Sequence, residues 1–330
     1  MSILYENELG YFICHASFIR KIYQQVNFEN SLKSFGIQKE LFHIKYPYTK
    51  FKLKNLKRLS EEDDTNNAFQ TEVQHVENIY TLFYSNLVEN KIIDSNSYAG
   101  DDFRNKKALL AAQHAYDNSG IHNLYNVIGE NTDDAVGVEI KGSRKFDVIV
   151  LDPPWWNKYI RRKKMKTDNS YTMMYNDDLK ELPVEKLIKD NGIVIIWCTN
   201  SPSHMDYLRN VIFEKWKVKF MKKWYWLKVT IAGKPVCNFS KPPGKQPFEQ
   251  IIFASRSPHH HVNIPDERLV MSVPSALHSH KPPLQEMIQK YIPENADCLE
   301  VFARYLLPDW TSYGLEAIRF QHHSLYTETT

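Results

Sequence analysis

The sequence predicts an α/β fold with a mostly parallel sheet, preceded by a mainly helical N-terminal region. Three observations carry this. Phe146-Asp147-Val148-Ile149-Val150-Leu151 is a short, β-branched run of the kind that forms a strand buried on both faces. Ile193-Val194-Ile195-Ile196-Trp197 repeats the pattern. Amphipathic segments fall between such runs, and that alternation specifies a parallel sheet covered by helices.

The first unit is expected over residues 1–120. Lys45, Lys50, Lys52, Lys54, Lys57 and Arg58 cluster there, which fits either a solvated loop or nucleic-acid contact. Residues 60–67 carry no apolar anchor and read as a polar linker. Val73, Val76, Tyr80, Phe83 and Leu87 then recur at helical spacing. A second helix is expected over residues 103–116, with Gly120 close to its end. The second unit, residues 121–330, holds the two strands above, with a helix beginning near Pro183 between them. Asn200-Ser201-Pro202 reads as the cap and first turn of a helix carrying Tyr207, Leu208, Val211, Ile212 and Trp216. Further strands are expected at 218–230, 250–254, 269–273 and 298–302, with a helix at 283–291 before the last.

Of 330 residues, 42% are hydrophobic, enough for a full core. The net charge of +3 selects no partner, so distribution matters more. A second basic cluster, Arg161, Arg162, Lys163, Lys164 and Lys166, follows the first strand closely. Cys14, Cys198, Cys237 and Cys298 include no C-x-x-C pair, which excludes a thiolate metal site and a disulfide framework. His259-His260-His261 lacks a carboxylate at ligand spacing and reads as a polar loop, so no metal is expected. No apolar run approaches a membrane span, and no signal-peptide core is present. A nuclear location is expected, with the cytoplasm as an alternative and the mitochondrion disfavoured by Glu6 and Glu8.

Chemistry concentrates at Leu151-Asp152-Pro153-Pro154-Trp155. A buried strand ends in a carboxylate, and two prolines stop sheet pairing and stiffen the backbone. In parallel α/β sheets ligands bind beyond the carboxyl ends of the strands, where Asp152 falls. The Asp152 carboxylate and Pro153 carbonyl are two acceptors for the hydrogens of a planar ligand's amine, with Trp155 packing on its ring. Adenine, flipped out of any stack, is such a ligand.

This segment resembles the catalytic D-P-P-W motif of the mRNA adenosine methyltransferase (MT-A) family. The resemblance covers residues 145–320. It includes His278-Ser279-His280-Lys281-Pro282-Pro283, Leu299-Glu300-Val301-Phe302-Ala303-Arg304, and Pro308, Trp310, Thr311, Ser312 and Gly314 in the family's order. The run from Val273 to Pro283 is most similar to the methyltransferase-like protein 4 branch. The resemblance implies a Rossmann-like methyltransferase with permuted motif order, in which the catalytic strand precedes the strand that cradles the donor. It also accounts for the absence of a G-x-G-x-x-G loop in a chain with 11 glycines.

By matching position, the resemblance makes Asp152, Pro153, Pro154 and Trp155 catalytic and implies S-adenosyl-L-methionine as cofactor. Lys281 would pair with the donor's carboxylate, and Glu300 would accept from its ribose hydroxyls. His280, Phe302 and Arg304 complete that pocket. Relatives carry Asn near Tyr305 and Leu315, so Glu316 or a backbone group is expected to substitute. For the substrate, Arg161, Arg162, Lys163 and Lys164 are expected over the pocket, gripping phosphates. Lys228, Lys245 and Glu249 match positions near the substrate. The implied reaction is methylation of the adenosine N6 amine in nucleic acid; no obligate protein partner is evident in the sequence, and a monomer is expected. Branch resemblance implies small nuclear RNA, at 2'-O-methyladenosine, with DNA adenine as the alternative. A catalytically silent RNA-binding subunit and a nucleic-acid-binding adaptor are the rival classes.

Overall fold

In the computed structural model, residues 2–23, 26–28, 31–48, 64–94, 105–115, 144–156, 173–242 and 244–329 are described. The elements before the catalytic motif are β1 (Ile3–Asn7), β2 (Gly10–Ile13), α1 (His15–Ile22), β3 (Val26–Phe28), β4 (Ser31–Ile37), α2 (Asp64–Glu89), α3 (Lys106–His114) and β5 (Phe146–Leu151). After it come α4 (Asn176–Lys180), α5 (Val184–Leu187), β6 (Ile188–Cys198), α6 (residues 202–215, π-helical at Leu208–Ile212), β7 (Lys219–Lys228) and β8 (Phe248–Ser255). The chain ends with β9 (Leu269–Ser272), α7 (Gln285–Ile288), β10 (Cys298–Val301), β11 (Trp310–Tyr313) and β12 (Tyr326–Thr329).

Nine strands form one sheet in the order β1-β2-β9-β7-β8-β6-β5-β10-β11. Pairing is parallel at β2/β9, β9/β7, β6/β5, β5/β10 and β10/β11, and antiparallel at the other three contacts. Alternate residues of β5 and β6 enter opposite cores. Ile149, Leu151, Val194 and Ile196 pack with Leu208, Ile212 and Trp216 of the α6 segment on one face. Val148, Val150, Ile193 and Ile195 pack with Leu284, Met287 and Ile288 on the other. The expected α/β class therefore holds, because both faces of the central strands are covered.

Two corrections concern the N-terminal region. Among its described residues it is mainly helical, but it does not stand apart, since β2 pairs with β9 and brings β1 into the main sheet. A Cβ on Gly10 would lie 2.0 Å from the Leu269 carbonyl oxygen, so only glycine lets the two backbones approach this closely. Phe69, Val73, Val76, Phe83 and Leu87 of α2 pack on Tyr225, Leu227, Leu269 and Met271. Of the linker expected at residues 60–67, residues 64–67 form the start of α2, and residues 60–63 lie outside the described residues. Most of the first basic cluster (Lys50, Lys52, Lys54, Lys57 and Arg58), the Arg161–Lys166 cluster and the boundary at residue 120 lie outside the described residues. No described helix is long and apolar enough to cross a membrane.

Candidate active site

Asp152 leaves the carboxyl end of β5 beside the end of β10. The register sets Glu300 opposite Val150 and Val301 opposite Leu151, so the Asp152–Trp155 and Phe302–Arg304 segments emerge side by side. Phe302 takes a left-handed φ of 64°, turning the chain just past β10. Arg304 Nη1 then donates to Asp152 Oδ2 at 2.6 Å. Lys281 Nζ lies 3.4 Å from Asp152 Oδ1 and donates to Glu249 Oε2 at 2.6 Å. Lys228 pairs with the other oxygen of Glu249. Two carboxylates from β5 and β8 are thereby held among three cations. Burial alone would raise the Glu249 pKa, but the charges of Lys228 and Lys281 override it and hold the carboxyl well below its usual range. Burial would likewise lower Lys281, yet Asp152 and Glu249 push it above the ordinary lysine value.

The prolines fix the corner through their carbonyls. Pro153 accepts from the Trp155 amide at 2.8 Å, and Pro154 from the Met174 amide at 2.9 Å. One lone pair of the Pro153 oxygen is left for another donor. Trp155 stands in the cleft wall beside Asp152 and is tied into the core. It is 7% exposed, its Nε1 donates to the Trp197 carbonyl at 2.7 Å, and one face stacks on His204 at 5.1 Å. These contacts anchor the motif to β6 and α6. His204 Nδ1 lies 3.0 Å from Thr199 Oγ1, and burial lowers its pKa, so the ring is neutral near pH 7.

Behind Asp152 a narrow crevice of about 30 Å³ is lined by Glu300, Phe302, Tyr305, Trp310 and Phe320, together with Lys281 and Arg304. Glu300 Oε2 and both ring nitrogens of His280 are buried without hydrogen-bond partners. Burial, followed by the nearby Asp152 charge, pushes the Glu300 carboxyl up to about 8. His280 stacks on Phe320 at 4.2 Å and meets His15 of α1 edge-on at 4.3 Å. Burial, with the neighbouring His15 and Arg304, holds its pKa well below the usual histidine value. Leu315 is fully exposed, and Glu316 accepts from Arg304 Nε at 3.3 Å while pairing with Arg319. Glu316 thus braces Arg304, a use of that residue the sequence reading missed.

In front of Asp152 lies a cleft of about 1200 Å³. Its walls bring together Asp152, Pro153, Pro154, Trp155, Lys228, Lys245, Glu249, His280, Lys281 and Arg304, with Tyr48 and Phe69 from the N-terminal region. Arg161, Arg162, Lys163 and Lys164 lie outside the described residues. Sequence reasoning missed Tyr48 and His204. The only signal for His204 was its place just after the Asn200-Ser201-Pro202 cap. Among the described residues no group of three His, Cys, Asp or Glu side chains is placed to hold a metal. His261 instead bonds the Asn191 carbonyl at 2.8 Å.

The model of the MT-A70 family matches residues 146–316, just over half of the chain, from the start of β5 to Glu316. The chain belongs to the MT-A70 family. Among relatives, the human N(6)-adenine-specific methyltransferase METTL4 is 38% identical over 189 residues, covering 54% of this chain and 39% of its own. An N6-methyladenosine RNA methyltransferase MTA1 of Pyricularia oryzae is 32% identical, over 56% of this chain and 50% of its own. A DNA N6-methyl methyltransferase of Caenorhabditis elegans is 31% identical, over 55% and 48% respectively. The chain thus spans half or less of the length of these relatives. MT-A70 membership places Asp152, Lys281, Glu300 and Arg304 in the matched region and leaves Tyr48 and Phe69 outside it.

Proposed function

We propose that this chain methylates the N6 amine of an adenosine in nucleic acid, with S-adenosyl-L-methionine as donor. The observation that carries the reading is the corner at the end of β5, where the Asp152 carboxylate and the Pro153 carbonyl face a cleft of about 1200 Å³. The residues present fit the donor chemically. Buried Glu300 Oε2 and the His280 nitrogens lack partners that ribose hydroxyls and an adenine edge would supply. Lys281 is a compact charge suited to a carboxylate, and Phe302, Tyr305 and Phe320 line the crevice with aromatic surface. When bound, the donor supplies an electrophilic methyl group on a sulfonium.

The chain's own residues orient the amine. The adenine amine is a weak nucleophile because its lone pair is delocalised into the ring. Asp152 and the free lone pair of the Pro153 carbonyl accept its two hydrogens, favouring a pyramidal nitrogen with its lone pair directed outward. Such fixed acceptors act chiefly on the transition state. In this reading Arg304 and Lys281 hold the Asp152 carboxylate in place, and the Arg161–Lys164 cations grip flanking phosphates.

For the polymer we favour small nuclear RNA, at an adenosine carrying a 2'-O-methyl group, with the chain acting as a monomer in the nucleus. DNA adenine is the alternative, since the relatives include proteins named for each polymer. Nucleoside mass spectrometry of RNA and DNA from cells with and without the protein decides. Loss of N6,2'-O-dimethyladenosine from small nuclear RNA is expected, whereas loss confined to DNA N6-methyladenine would replace the RNA assignment.

A further inference from the structure

We infer that Tyr48 and Lys245 form a second binding site in the cleft, for the nucleotide next to the target adenosine. It rests on the nucleic-acid reading above and adds a contact from outside the family-matched residues. Tyr48 lines the same cleft as Asp152 and leaves 40% of its surface exposed. Lys245 Nζ lies 5.7 Å from the centre of that ring, and among the described residues it forms no ion pair. A half-exposed ring, with an ammonium over it that has no carboxylate partner among the described residues, offers the two parts of a nucleotide a stacking surface and a cation. Bases stack on such faces regardless of sequence, and phosphates take the cation.

Both parts stand on loops held by buried amide side chains. Asn105, 2% exposed, accepts from the Lys45 and Tyr46 amides at 2.8 Å each and donates to the Tyr46 carbonyl at 2.8 Å. The Tyr48 amide itself donates to the Val236 carbonyl at 2.6 Å. On the Lys245 side, buried Gln246 accepts from the Ser240 amide at 3.2 Å and donates to the Gly244 carbonyl at 3.1 Å. The platform is therefore ordered before a ligand arrives, which lowers the entropic cost of binding.

The test is fluorescence anisotropy of the full chain with short single-stranded RNA and DNA of the same sequence. Tyr48→Ala should weaken binding of both by about tenfold, and Tyr48→Trp should hold it within about twofold of wild type. Lys245→Gln should lower the slope of log affinity against log salt by about 0.7. Unchanged thermal midpoints and unchanged affinity for S-adenosylhomocysteine would show that the variants are folded. Wild-type affinity in folded Tyr48→Ala would overturn the platform while leaving the nucleic-acid reading intact. Failure of the wild-type chain to bind either oligonucleotide would instead overturn that reading, and the platform with it.

Discussion

Arg304 Nη1 donates to Asp152 Oδ2 at 2.6 Å, and each side chain is about one-tenth exposed. The carboxylate proposed to hold the amine is thus half engaged by a neighbouring strand end before any substrate arrives. Removing Arg304 leaves the buried carboxylate with Lys281 alone, at 3.4 Å from its other oxygen. Arg304→Met should therefore cost about 3 kcal/mol in chemical denaturation. The double variant with Asp152→Asn should regain most of that loss, because neither charge is then stranded. Equal destabilisation of the single and double variants would show that the pair is not what Arg304 contributes.

Glu249 gives a pH dependence with a definite sign. Its folded pKa lies below the ordinary carboxylate value of 4.5, so its contribution is present above that range and lost as pH falls through it. Glu249→Gln should remove part of the acid limb of a stability–pH curve while narrowing its gap from wild type at the lowest pH. A constant offset at every pH would argue against the depressed pKa.

Glu300 predicts the opposite slope. Its folded value of about 8 lies above the ordinary 4.5, so the native state holds the proton longer than the unfolded chain. That stabilisation is complete below about pH 4.5 and is lost as pH rises toward 8. Thermal midpoints measured from pH 5 to 8.5 should fall more steeply for wild type than for Glu300→Gln. Parallel curves would contradict a protonated, buried Glu300.

Trp155→Phe separates an anchor from a base platform. Phenylalanine keeps an aromatic face but cannot donate to the Trp197 carbonyl. The orphaned acceptor should cost about 1–3 kcal/mol of stability. A variant of unchanged stability with weakened substrate binding would restore the platform role.

Much of this was legible in the chain itself. β5 and β6 announced themselves because strands buried on both faces must be continuously apolar, and Asp152 was marked by two prolines closing such a strand. The N-terminal strands were not. Ile3–Asn7 alternates half-buried and exposed positions, and Gly10–Ile13 is four residues long, so pairing with β9 rather than local pattern makes them strands. The site divides the same way. Lys281 and Glu300 stood in recognisable motifs, but the Asp152–Arg304 bond depends on the β5–β10 register across 152 positions. The stacking of His204 on one face of Trp155 was not legible, because His204 sits on another element 49 residues later. Tyr48 carried no motif, and it reaches the cleft through a loop tied down by Asn105 and by the Val236 carbonyl.

The central claim is that Asp152 holds an adenine amine for methylation. Its most direct test is nucleoside mass spectrometry of adenine-containing RNA and DNA oligonucleotides after incubation with S-adenosyl-L-methionine and either purified wild type or Asp152→Ala. Wild type should form N6-methylated adenosine, and the variant should form none while retaining a cooperative unfolding transition and donor binding. Undiminished product from Asp152→Ala, or none from folded wild type on either polymer, would contradict the account.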